Sequence, residues 1–165
     1  MNRISFVVRQ CMVISIISKT ISSPYVDLRY DDMVDKMLEL SKVVPEFVHM
    51  YSANTRYKIE AAHGNCGEKH KRCEQYVLEI TDHANFDSKR PEIFISGALH
   101  GDERVGPLAT LATARIMALG AACAVHGLEN ACSLLTRGER KSIQGKEAWL
   151  LFLVKNRNLI MLPAT

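Results

Sequence analysis

The run PEIFISGA (91–98), followed at once by a glycine-containing polar turn and then RVGPLATLATARIMAL (104–119), constrains the fold of this chain more than any other stretch. The first part is short, apolar and β-branched and suits a central strand. The last part repeats its apolar residues at helical spacing. Pro107 falls in the first helical turn and Gly120 follows the last apolar position, which predicts a helix over 104–119. Val105, Leu108, Leu111 and Ile116 are expected to face a sheet.

The remaining segments extend this pattern. YDDMVDKMLELSKVVPEF (30–47) places Met33, Met37, Leu38 and Leu40 near helical spacing, with Asp31 and Asp32 at the start and Pro45 as a stop. EFVHMYS (46–52) alternates loosely and reads as a strand. TRYKIEAA (55–62) and EQYVLEITD (74–82) also read as strands, with HGNCGEKHKRC (63–73) as a hairpin insertion between them. Residues 120–145 carry no clear periodicity. KEAWLLFLVKN (146–156) is predicted helical, and RNLIMLPAT (157–165) a second buried strand. The fold class that follows is α/β, a mixed sheet with helices on both faces. Segments 91–98 and 158–163 are expected as adjacent central strands, covered by helix 104–119.

Composition bounds the function classes. The 165 residues are 47% hydrophobic with a net charge of +3, which suits one domain, placed at 24–165. The densest basic stretch, EKHKRCE (68–74), is broken by Glu68 and Cys73, so no nucleic-acid footprint is expected. Residues 1–23 have the outline of a signal or leader segment: Arg3, an apolar run over 11–18, then Ser22 and Ser23, although Arg9 interrupts it. That run is too short for a bilayer, which needs about 20 apolar residues, so no transmembrane segment is expected there. Cysteines at 11, 66, 73, 123 and 132 lack Cys-x-x-Cys spacing, which argues against a structural zinc site. Cys66 with Cys73 and Cys123 with Cys132 could form local disulfides in an oxidising compartment, or stay as free thiols in a reducing one. Secreted and cytoplasmic locations both stay open.

The chemistry concentrates in GALHGDERVGP (97–107). In open α/β sheets, ligands bind beyond the carboxyl ends of strands, where His100 and Glu103 are predicted to lie. Three-residue spacing on a turn puts their Cβ atoms about 5–6 Å apart, close enough to share one ion. An imidazole nitrogen and a carboxylate both suit Zn²⁺. Gly97 and Gly101 allow a tight backbone, and Asp102 could orient the ligands. His63, His70 and His126 have no partner at fixed spacing and read as loop residues. The competing reading of His100 and Glu103 is a solvated polar turn.

FISGALHGDERVGPLATLATARIM resembles the first zinc-binding segment of the zinc metallocarboxypeptidase family, where a strand ends in His-x-x-Glu followed by a glycine and a helix. YDDMVDKMLELSKVVPEFVHMYS is similar to that family's N-terminal helix and first strand, and NRNLIMLPAT to the strand leading into its Asn-Pro-x-Gly segment. The resemblance spans roughly residues 28–165 and is specific in one stretch. It implies a zinc-carboxypeptidase-like fold, a Zn²⁺ cofactor, His100 and Glu103 as two of three protein ligands, and a peptide or protein substrate cleaved at its C-terminal bond. The family's third ligand, carboxylate-binding arginines, tyrosine and general-base glutamate lie further along, and His126 comes too early to substitute. No catalytic residue is therefore assigned. The domain is expected to be truncated, binding zinc weakly and without peptidase activity. An N-acyl amino acid amidohydrolase of the succinylglutamate desuccinylase and aspartoacylase type also uses His-Gly-x-Glu. A non-catalytic α/β binding module and a plain structural domain are compatible with the same residues.

Overall fold

A computed structural model describes residues 28–98, 104–127 and 131–163; the candidate leader segment lies outside them. Helix α1 (Tyr30–Val43) carries Asp31 and Asp32 in its first turn, where negative charge opposes the helix dipole. It buries Met33, Val34, Met37 and Leu40, and it stops two residues before Pro45. Strand β1 (Val48–Ser52), helix α2 (Ala53–Tyr57), strand β2 (Tyr76–Ile80) and a 3₁₀ turn (His83–Asn85) follow. Then come β3 (Glu92–Ser96), α3 (Val105–His126), α4 (Ala131–Leu134), α5 (Arg137–Ile143), α6 (Glu147–Asn156) and β4 (Asn158–Leu162).

The strands form one mixed sheet in the order β1-β2-β4-β3. β1 and β4 both run antiparallel to β2, whereas β3 and β4 are parallel, with Ile93 opposite Leu159 and Ile95 opposite Met161. The expected neighbours are thus adjacent, but only β4 is interior. Among the described strands β3 is an edge, because β2 occupies the other side of β4, and Phe94 is 65% exposed.

One face of the sheet carries the core. Val48, Leu78, Ile80, Leu159 and Met161 meet Met37 and Leu40 of α1, Leu111, Ala114, Ala118 and Leu119 of α3, and Leu150 and Val154 of α6. On the far face, Arg56 of α2 pairs with Glu79 and lies over the Tyr51 ring. Helices stand on both faces, but unevenly.

Helix α3 buries Leu111 and packs Ile116 against the core as expected, but differs in the rest of its packed side and in where it ends. Val105 is 69% exposed, and the packed side is built from Ala114, Ala118, Ala121 and Ala122. Small residues let α6 approach closely. Gly120, expected to end the helix, is buried within it, and a Cβ there would collide with Leu150 Cδ1. Gly127, with φ of 77°, ends the helix instead, in a conformation that favours glycine. α3 is long and apolar enough to cross a membrane by length and composition, although 44% of its apolar window is buried inside the protein. Gly120→Val is expected to cost about 1–3 kcal/mol by overpacking. Urea denaturation would show a lowered midpoint, and an unchanged one would mean that α6 does not sit against Gly120.

Two more segments differ from expectation. Residues 55–62 do not form a strand: Ser52 caps α2 by accepting the Thr55 N–H, and Lys58 closes it with φ of 54°. β1 pairs directly with β2, so 53–75 is an excursion. Its arms are joined by the Ala53 N–H to the Gln75 carbonyl, by the Gln75 N–H to Asn54 Oδ1 and by an Ala62–Cys73 bridge. The described residues of 120–145 are mostly helical. α3 continues through them to His126, and α5 begins with a capping box in which Thr136 and Glu139 satisfy each other's backbone N–H groups.

Both cysteine pairs are disulfide-bonded, with Cα separations of 5.1 Å for Cys66–Cys73 and 4.8 Å for Cys123–Cys132. The first closes the excursion, which docks on α1. There the Asp31 carboxylate accepts the backbone N–H groups of Glu68, Lys69 and His70 at 2.8, 3.1 and 2.8 Å. Hydrogen bonding from His70 and then Lys69 holds the Asp31 carboxyl below the usual aspartate range. A depressed folded-state pKa gives stability that is present above the unfolded value and lost as pH falls through the folded one. Amide exchange protection at 68–70 is therefore expected to persist at neutral pH and fall only below the ordinary aspartate range. In Asp31→Asn the acid-dependent step should vanish; its persistence would contradict the docking.

Candidate functional site

Strand β3 ends at Ser96, and Gly97 extends the parallel ladder by donating to the Leu162 carbonyl at 2.8 Å. Helix α3 starts at Val105, so residues 97–104 form the strand-to-helix connection at the carboxyl end of β3 and beside that of β4. Of these, 99–103, including His100, Gly101, Asp102 and Glu103, lie outside the described residues.

The ends of this connection are pinned. A Cβ on Gly106 would run into the Gly97 carbonyl. A Cβ on Gly97 would run into the Pro163 carbonyl and stand 2.9 Å from Gly106 O and Pro107 Cα. Only hydrogens fit between these backbones. The two glycines therefore hold the start of α3 against the ends of β3 and β4. Gly97, where the connection begins, stands at the carboxyl end of a parallel pair of strands, the place at which α/β sheets bind ligands.

The remaining histidines weighed from the sequence are elsewhere. His126 ends α3, about 31 Å along the helix from its first residue, and sits 3.0 Å from Glu46. His70 Nε2 lies 3.2 Å from Asp35 on α1, and His63 is exposed in the excursion.

A second group of ligating side chains occupies the far face of the sheet, and sequence spacing did not single it out. His49 on β1 stands directly opposite Glu79 on β2, and His83 follows in the 3₁₀ turn. One ligand atom from each lies within 4.8 Å of the other two. The imidazole rings stack with centroids 3.4 Å apart and 11° between planes. Burial, and then the neighbouring His49, push the His83 pKa below the usual histidine value. Arg56 Nη1 is 3.6 Å from Glu79 Oε2. Glu79 pairs with Ile160 in the middle of β4, and His83 follows beyond Ile80, which pairs with Leu159. This group therefore runs from the middle of the strands toward the amino end of β4 and not toward the 97–104 connection. Glu79 to His83 is a four-residue step that sequence could offer. His49 joins only through strand register, which spacing does not reveal.

No family model matches the chain, and no curated protein matches it. Solved structures do. Bovine thrombin-activatable fibrinolysis inhibitor, in complex with tick carboxypeptidase inhibitor, is 13% identical, with a TM-score of 0.46 over 84% of this chain and 31% of its own. Carboxypeptidase A from Helicoverpa armigera is 16% identical, with a TM-score of 0.43 over 83% of this chain and 24% of its own. A further structure of thrombin-activatable fibrinolysis inhibitor is 12% identical, with a TM-score of 0.46 over 82% and 24%. The chain spans between a quarter and a third of the length of these structures. It is similar to part of their fold.

Proposed function

We propose that residues 24–165 are the N-terminal part of a zinc metallocarboxypeptidase domain, with His100 and Glu103 as two of its zinc ligands. The observation that carries this reading is the sequence FISGALHGDERVGP, whose His-x-x-Glu falls between a strand and a helix. The place of the connection, after the carboxyl end of β3 where α/β sheets bind ligands, supports it. Zinc in such enzymes polarises the scissile carbonyl and lowers the pKa of a bound water. On this reading His100 and Glu103 position the ion, and groups outside these 165 residues clamp the substrate carboxylate and move the proton. The substrate class is a peptide or protein with a free C-terminus.

The test is an assay of the protein expressed from its complete coding sequence, in the presence of zinc. Release of C-terminal residues, lost in His100→Ala and in Glu103→Gln, is the expected result. Cleavage of N-acyl amino acids without peptide cleavage would favour an amidohydrolase instead. Activity that survives both substitutions would overturn the reading.

A further inference from the structure

We propose that His49, Glu79 and His83 form a second divalent-metal site, of the zinc class, on the far face of the sheet. Two imidazoles and one carboxylate are a donor set that suits zinc, leaving a fourth position open to solvent or a ligand. Nothing in this proposal depends on the strand-end pair.

The three residues are brought together by rigid elements. Directly opposed residues of an antiparallel pair project from the same face with Cβ atoms about 4.5–5.5 Å apart, which fixes His49 beside Glu79. The chain then turns back at Asp82, whose side chain accepts the Asn85 N–H, and this sets His83 over the same spot. With metal bonds of about 2.0–2.2 Å, tetrahedral ligand atoms stand roughly 3.5 Å apart. The observed limit of 4.8 Å therefore has to shorten on binding, through rotations of the side chains. His49 is exposed and free to make them.

A second observation points to a ligand. His83 Nε2 lies 3.3 Å from the Glu79 carbonyl oxygen. A carbonyl can only accept, so Nε2 carries the proton and Nδ1 keeps its lone pair. A ring N–H given to a backbone carbonyl is the outer-shell arrangement that orients metal-binding histidines. Here the carbonyl belongs to the residue whose carboxylate completes the set. Arg56 Nη1 stands 3.6 Å from Glu79 Oε2, so an ion at this carboxylate competes with the guanidinium. Glu79, alone of the three, also borders a cleft of about 380 Å³ lined by Tyr51, Tyr57, Phe86 and Phe94. In the stacked arrangement the ring lone pairs run parallel, so binding must swing the His49 ring out of the stack.

The experiment is calorimetric titration of the 165-residue chain with zinc chloride in a His100→Ala/Glu103→Ala background. Histidine ring resonances are followed by NMR in parallel. One zinc equivalent is expected, with the His49 and His83 ring signals shifting together as the stack opens. His49→Ala and Glu79→Gln are each expected to weaken binding at least tenfold, since losing even an outer partner costs about 10–100-fold. Arg56→Ala is expected to tighten it several-fold by removing the competing cation. His49 is exposed and Glu79→Gln keeps its shape, so far-ultraviolet dichroism should stay that of the parent. Absence of zinc binding in the background chain would overturn the proposal. So would binding that neither substitution weakens.

Discussion

Gly106→Val is expected to destabilise this domain by about 3 kcal/mol or more, beyond the usual cost of overpacking, because the collision is with backbone. The atom in the way is the Gly97 carbonyl oxygen, and Gly97 is itself tied into the parallel ladder by its bond to Leu162. A side chain at 106 must therefore lift α3 from the sheet or break the end of β3. Gly106→Ala meets the same obstacle and should fall between the parent and the valine variant. The measurement is urea unfolding followed by dichroism. A Gly106→Val midpoint within error of the parent would mean that the connection is not pinned.

Leu78→Ala is expected to cost about 3–5 kcal/mol, the range for emptying a fully buried leucine site. Leu78 has no exposed surface and lies on the core face of β2, with β1 on one side and β4 on the other. Ile93→Ala serves as the comparison, since Ile93 is 40% exposed on β3 and should cost about 1 kcal/mol or less. The difference between the two reads out the strand order directly. Equal costs would place β3 in the interior of the sheet and contradict the observed order.

Much of the fold was legible because its signals are local. Pro45 after an amphipathic stretch, the β-branched run at 92–96 and the apolar run at 158–162 each announce their element. What failed depended on contacts between distant residues. TRYKIEAA has strand-like composition, yet Ser52 caps a helical turn there because β1 takes β2 as its partner. Gly120 reads as a helix stop until α6 is seen packed against it, and the alanine stripe of α3 carries little hydrophobic contrast in sequence. Thr136-x-x-Glu139 was a visible capping signal in a segment without clear periodicity. For the site, sequence placed His100 and Glu103 after a strand; β3 and α3 flank that segment, and the two residues themselves lie outside the described ones. The His49–Glu79–His83 group escaped because register, rather than spacing, assembles it.

The central claim is that the strand-to-helix connection holds zinc through His100 and Glu103. Its most direct test is calorimetric zinc titration in a His49→Ala background, which removes the far-face donor while leaving the connection intact. The account predicts a weak but measurable zinc site in that chain, lowered at least tenfold by His100→Ala and again by Glu103→Ala. Zinc binding of equal strength in all three chains would show that the connection is an ordinary polar turn.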